Sequence, residues 1–422
     1  MKRIKLLALG LAAAFLCGCG AGHGVEDLLR APQLSGRYSQ VQQALNGYLG
    51  ESAQLKYPAT GDAPSPFLFG DWDGDGSEDA AVLYASPSKG QNAHVAILEQ
   101  SGDDWVVTQE VEGLAPSVES VDTASLEGTA GTQLLVGYGS ALGDRYLAVY
   151  RYADRTLSTV LQEGYAEYVL EDITGTGVQS LILITPGTPT LKLLLWQEDG
   201  YRPVQELELA EGRFTSCAGL YSGRGVGGGR CLVVDGWTGG AGDALASDLL
   251  YYDAEEGALA RLISAGELYD RTRRTYASLH STDIDGDRRV DIPVQLAPDE
   301  GGTVSGGQER RLAFVEWWDF SLPGSEASSF GVLDSEYGFY LALPDEWKGG
   351  VMLTEGAAED GWEVRSLDGA KLYLSLRITP LDEAPAGYRR AATVGTLQVG
   401  IRAGEDIPSF YREQVAAWLT LL

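Results

Sequence analysis

The sequence predicts a mainly β chain: a β-propeller of about five four-stranded blades, followed by a small α+β domain. Three observations carry this reading. Short aliphatic and aromatic runs alternate with turn residues, and the composition of 55 Gly, with 21 Tyr against 9 Phe, suits many short strands joined by tight turns. The loops that open successive units start near residues 71, 125, 172, 220 and 283, a spacing of roughly 47 to 63 residues that matches four-stranded propeller blades. Two of those loops also share one acidic pattern, Asp71-Trp72-Asp73-Gly74-Asp75-Gly76-Ser77-Glu78-Asp79 and Asp283-Ile284-Asp285-Gly286-Asp287-Arg288-Arg289-Val290-Asp291.

The chain divides accordingly. Residues 1–19 read as an export segment. Lys2, Arg3 and Lys5 precede an apolar run over 6–16 that is too short to span a bilayer. Leu16-Cys17-Gly18-Cys19 resembles the lipobox of bacterial lipoproteins, which implies cleavage before Cys19 and lipidation of Cys19. Residues 20–53 form a tether and an amphipathic helix, because Tyr38, Val41, Leu45, Tyr48 and Leu49 recur at helical spacing. Residues 54–322 hold the blades, and residues 54–57 are expected to close the ring by pairing with the last one. Residues 323–331 read as a linker. Residues 332–422 form the α+β domain, with strands over 362–366, 371–378, 391–394 and 397–401. A terminal helix opens at Pro408 and presents Tyr411, Val415, Trp418 and Leu422 on one face.

The acidic loops are candidate metal sites. Calcium takes six to eight oxygens, and closely spaced carboxylates would repel one another without a cation. Asp71, Asp73, Asp75 and Asp79 with the Ser77 carbonyl make the first set. Asp283, Asp285, Asp287 and Asp291 with the Arg289 carbonyl make the second, although Arg288 stands where Gly is expected. An EF-hand does not fit the first loop, since the twelfth position is Val82 rather than Glu. The loop at 172 keeps only Asp172; Thr174, Thr176 and Ser180 replace the other carboxylates, so no tight calcium site is expected there. Two structural calcium ions are therefore expected, each clamping a hairpin.

Other chemistry is sparse. His23, His94 and His280 form no visible catalytic or metal set, and the glycine loop over 223–229 lacks the Lys-Ser/Thr of a phosphate loop. Cys217 and Cys231 flank a glycine-rich stretch that reads as a hairpin loop, where an exported protein can carry a disulfide. Trp237, set among glycines, is a candidate for stacking on a sugar or peptide. A formal net charge of −29 argues against nucleic-acid binding.

The Asp loops and the strands that follow them resemble the FG-GAP/VCBS repeats of integrin-type β-propellers. Asp71, Asp73, Asp75, Gly76 and Asp79 match the family's Asp-x-Asp-x-Asp-Gly-x-x-Asp calcium pattern. The resemblance covers about residues 54–322 and implies calcium-stabilised blades. The Tyr-Gly-Phe, Leu-Pro and Trp-Lys-Gly pattern over 337–349 is similar to small domains of exported Gram-positive proteins, some with a PsbP/Mog1-like fold. Together these imply an extracytoplasmic lipoprotein at the surface of a Gram-positive cell, held to the membrane through Cys19. Its expected role is non-enzymatic, a scaffold that binds an envelope protein or glycan. Two alternatives stand beside it: a glycan-active enzyme using the propeller mouth, and an accessory subunit of an envelope complex.

Overall fold

The computed structural model describes residues 36–422 except 103, 125–130, 198–199, 240–243, 306–310, 322–323, 325–326, 357–359 and 384. The export segment, Cys19, His23 and most of the tether lie outside the described residues.

The expected first helix is α1 (Arg37–Leu49), ended by Gly50 in the left-handed conformation at φ 72°. Sheet one follows, with β1 (Gln54–Leu55), β2 (Phe67–Gly70), β3 (Asp79–Ala85), β4 (His94–Ser101) and β5 (Asp104–Glu112). Sheet two is the meander β6 (Ser117–Ala124), β7 (Gln133–Gly139), β8 (Arg145–Ala153) and β9 (Thr156–Gly164). Sheet three is β10 (Glu167–Glu171), β11 (Ser180–Ile184), β12 (Thr190–Gln197) and β13 (Gly200–Glu208). Sheet four is β14 (Ser216–Arg224), β15 (Arg230–Trp237), β16 (Leu245–Asp253) and β17 (Ala258–Ala260), followed by α2 (Ala265–Thr272). All of these pairings are antiparallel.

The remaining strands interleave two sheets. In chain order they are β18 (Ile292–Gln295), β19 (Thr303–Val304), β20 (Leu312–Trp318), β21 (Ala327–Asp334), β22 (Phe339–Leu343), β23 (Val351–Glu355), β24 (Trp362–Ser366), β25 (Leu372–Pro380), β26 (Arg389–Val394), β27 (Leu397–Ala403) and β28 (Leu419–Leu421). Sheet five has the order β18-β20-β21-β22-β28, and sheet six the order β19-β23-β24-β25-β27-β26.

Period-two alternation explains how the sheets stack, because successive side chains on a strand point to opposite faces. On β3, Ala81 and Leu83 join a core with Val121, Val136 and Tyr150 of sheet two. The intervening Ala80, Val82 and Tyr84 pack against Val41 and Leu45 of α1. The same division recurs in each sheet. Leu135 and Leu147 of sheet two meet Leu181 and Leu183 of sheet three. Ile182 and Leu193 meet Leu232 and Val234 of sheet four. Val233 and Leu249 meet Ile292 of sheet five. Phe314, Phe330 and Leu341 of sheet five share a last core with Trp362, Leu374 and Val399 of sheet six. Each fully buried aliphatic side chain contributes about 1.5–3 kcal/mol. Among the described residues, none of these cores joins sheet one to sheets five or six.

Four expectations need correction. Gln54 and Leu55 pair with Ala85 and Tyr84 of β3, so β1 extends sheet one instead of reaching the last sheet. Residues 327–331, placed in the linker, belong to β21, which is hydrogen-bonded to β20, and residues 339–343 form β22 of the same sheet. The unit that begins near 283 therefore runs past residue 332. The terminal helix is absent among the described residues: residues 415–418 make a short 3-10 turn and β28 pairs with β22. Pairing on the otherwise open edge of β22 wins over helical spacing. Residues 332–422 accordingly show strands and 3-10 turns, with no α-helix among the described residues.

Candidate metal centres and their surroundings

The first acidic loop joins β2 to β3, and its backbone is tied by its own carboxylates. Asp71 accepts from the Gly74 N–H at 2.7 Å and from the Gly76 N–H at 3.0 Å. Asp73 accepts from Asp75 N–H at 3.1 Å, Asp75 from Ser77 N–H at 2.7 Å, and Asp79 from Trp72 N–H at 3.1 Å. The path needs φ 79° at Gly74 and 88° at Gly76, a region open to glycine at little cost. The second loop repeats these bonds position for position. Asp283 accepts from Gly286 and Arg288, Asp285 from Asp287, Asp287 from Arg289, and Asp291 from Ile284. Arg288 takes φ 71°, so it adopts the glycine conformation at a steric cost.

The two loops gather different carboxylates. Oxygens of Asp71, Asp73 and Asp79 lie within 4.8 Å of one another in the first, and those of Asp283, Asp285 and Asp287 in the second. Two oxygens on one calcium sit at most about 5 Å apart, twice the bond length, so both triads fit a single ion. Asp75 lies outside the first triad. Asp291 lies outside the second; it is buried and also accepts from the Ser328 hydroxyl. The Ser77 and Arg289 carbonyls belong to these same turns, while the Arg289 side chain reaches Asp287 and Asp319, each at 3.5 Å.

The electrostatics favour a cation. Burial, followed by the charges of Asp73, Asp75 and Glu99, pushes the Asp79 carboxyl up to about 6. Burial likewise pushes Asp291 up to about 6, with Asp285 and Asp319 adding repulsion. Asp73 is raised by burial and by its acidic neighbours. A divalent ion held by the triad would offset the mutual repulsion of Asp73, Asp79 and their acidic neighbours.

The third loop keeps the glycine conformations of the turn and only the first of its acids. Asp172 accepts from Thr176 N–H at 3.0 Å and Gly177 N–H at 2.8 Å, and Gly175 and Gly177 have φ 72° and 84°.

A second polar centre was not visible in the sequence. Asp235, on β15, is fully buried and lies 2.9 Å from the equally buried Arg274 guanidinium. That ion pair is close, although the Nη2 hydrogens do not point squarely at the carboxylate. Asp235 also accepts from the Ser247 hydroxyl at 2.6 Å, the Ser281 hydroxyl at 2.8 Å and the Ser281 N–H at 2.7 Å. His280 Nδ1 approaches it at 3.7 Å and is otherwise unpartnered. Burial raises the Asp235 carboxyl, but Arg274 and these donors outweigh it and hold the group well below the usual carboxylate range. His280 lines a cavity of about 360 Å³ with Tyr221, Ser278, Asp283, Leu421 and Leu422. The available sequence signal was an acid ending the apolar run 231–234, since an acid on a buried strand requires a partner.

The expected disulfide is not formed. Cys217 pairs across the ladder with Gly236, and Cys231 with Gly223. They sit toward opposite ends of the β14–β15 hairpin, roughly 20 Å apart at about 3.3 Å per residue, whereas a bridge needs Cα atoms within about 7 Å. Burial, then Glu167, pushes the Cys217 thiol up to about 12, and burial, then Asp319, pushes Cys231 up to about 11. Both are therefore protonated at neutral pH. Iodoacetamide should modify them slowly in the native protein and fully in urea without reductant. A mass gain at these two positions that requires reductant would contradict the ladder. Trp237 is half-buried at the end of β15, and its carbonyl accepts from Thr215. His94 is buried, with Nδ1 against the Asn92 carbonyl at 3.0 Å.

No protein-family model matches the chain, and no curated protein matches it.

Proposed function

We propose that this chain is a lipid-anchored, extracytoplasmic binding scaffold. On this reading its five antiparallel sheets are FG-GAP/VCBS-like blades, arranged as in a β-propeller and stabilised by two calcium ions. The observation that carries the reading is the recurrence of one turn at one place. The loop ahead of β3 and the loop ahead of β18 have the same bonds, and the loop between β10 and β11 has the same positive-φ positions as the first. Neighbouring first strands also touch in chain order, as blades around an axis would. Ser120 on β6 bonds Tyr168 on β10 at 2.9 Å, and Ser222 on β14 bonds Glu171 on β10 at 2.9 Å. α1 covers the face of sheet one turned away from sheet two, and sheet six packs on sheet five.

A rigid stack that exposes loops suits recognition better than chemistry. The lipobox at Leu16–Cys19 supplies the anchor. An acidic body, at −29 over the whole chain, favours calcium and disfavours polyanions. Membrane fractionation of an expressing bacterium tests the tethered reading. The wild-type protein should sediment with membranes, and Cys19→Ser should release it to the soluble exported fraction. Wild-type protein recovered free of membranes would overturn the anchor.

A further inference from the structure

We propose that the third loop has exchanged the metal site for a pocket that binds a neutral pyranose sugar. This names the ligand class of the scaffold and rests on the scaffold reading only for its biological setting. Counting from the first Asp of each loop places Thr174 where the acidic loops have Asp73 and Asp285. Thr176 stands in place of Asp75 and Asp287, and Ser180 in place of Asp79 and Asp291. The turn itself is kept, as the Asp172 bonds and the two left-handed glycines show. A scaffold that keeps the turn but carries hydroxyls at all three positions no longer offers the donor set of a hard cation. Asp172 is the one carboxylate of the set that remains, and it holds the turn through two backbone N–H groups as Asp71 and Asp283 do.

A cavity of about 360 Å³ opens at these hydroxyls. Thr174, Thr176, Gln179 and Ser180 line one side, and Trp196 and Tyr252 come from two adjacent sheets. Thr174 and Thr176 hydroxyls lie 2.9 Å apart. Trp196 meets Tyr201 edge-on at 5.4 Å, and the Arg151 guanidinium lies 6.0 Å from its ring centroid. Hydroxyl and amide groups both donate and accept, as sugar hydroxyls do. The half-buried Tyr252 supplies an aromatic side chain that can accept the apolar C–H face of a pyranose. Among the described residues, none that lines the cavity is charged, which favours a neutral ligand. The volume falls within the range of small-ligand sites, about 300–1,000 Å³.

The experiment uses the full chain in mild detergent and saturation-transfer NMR with calorimetry. The probes are glucose, galactose, mannose and N-acetylglucosamine, with glucuronate and glucosamine as charged controls. At least one neutral sugar should bind with a Kd on the order of millimolar, and the charged sugars at least about tenfold more weakly. Thr176→Ala and Tyr252→Ala should each weaken binding about tenfold, the exposed Thr176→Ala with unchanged melting and Tyr252→Ala with the protein still folded at the assay temperature. The combined Thr174→Asp, Thr176→Asp and Ser180→Asp protein should lose the sugar and gain one calcium. EDTA should leave sugar binding unchanged, which separates this pocket from the acidic loops, whose calcium is read by metal titration and melting. Absence of binding for all four neutral sugars up to about 50 mM, binding that survives both single variants, or binding abolished by EDTA would each overturn the assignment.

Discussion

Asp235→Ala is expected to destabilise the fold by about 3–5 kcal/mol, because it leaves the Arg274 guanidinium buried without its counter-charge. Neither side chain of this pair is exposed. Asp235 also holds Ser247 and Ser281, so the substitution orphans several donors at once. Urea denaturation measures the loss. Arg155→Ala is the contrast. Its guanidinium pairs with Glu99 at 3.0 Å but is 78% exposed, and its removal should change stability by no more than about 0.5 kcal/mol. The Asp235 effect should also depend on pH. Its carboxyl is depressed in the folded state, so its contribution is complete above the unfolded value of about 3.9 and fades as pH falls toward the folded value. The gap between wild type and variant should therefore be widest near neutrality and narrow below about pH 4. Equal midpoints at pH 7 would show that the pair contributes nothing.

Removing calcium should lower the melting temperature by about 5 °C. An ion present at a hundredfold excess over its Kd stabilises by about 2.7 kcal/mol per site, and two sites give about 5 kcal/mol. At about 2.1 cal/mol/K of unfolding entropy per residue, a chain of this length shifts by about 1 °C per kcal/mol. The mechanism is relief of repulsion within two triads whose oxygens lie inside 4.8 Å. Asp73→Ala should remove about half of the calcium response, since Asp285 and its partners remain. Asp71→Ala should in addition lower stability in EDTA, because Asp71 holds the Gly74 and Gly76 N–H groups whether or not an ion is bound. Magnesium, which demands a tight octahedron, should substitute poorly. Identical melting curves in calcium and in EDTA would exclude a structural ion at either loop.

The legible parts of this chain are those governed by local rules. The strands of sheets one to four follow from aliphatic runs bounded by glycine turns, and β24 falls at 362–366 as the sequence predicts. The acidic loops were legible because Asp and Gly at fixed offsets dictate both the bonds and the positive φ. What failed was partner choice. Nothing in the spacing of Cys217 and Cys231 reveals a ladder that sets them far apart. Nothing near Asp235 names Arg274, far along the chain, as its counter-ion. The residues read as a terminal helix carry helical spacing, yet Tyr411 and Trp418 pack edge-on against Trp347 from turns, at 6.1 and 6.2 Å. Leu419–Leu421 is then free to extend sheet five. The hydroxyls of the third loop read as a lost site; only the neighbouring Trp196 and Tyr252, brought in from two sheets, give that loss a shape.

The interleaving of the last two sheets has a consequence for the order of assembly. Sheets two to four each close from strands that follow one another in the chain, so each can form by short-range pairing as its segment becomes available. Sheet five cannot finish this way. The whole of β23 to β27 intervenes between its neighbouring strands β22 and β28, and β19 leaves for sheet six between β18 and β20. Closing those long loops carries an entropic cost that only the joint core of Phe314, Phe330, Trp362 and Leu374 repays. The final third of the chain is therefore expected to assemble as one cooperative unit, after the locally paired sheets that precede it.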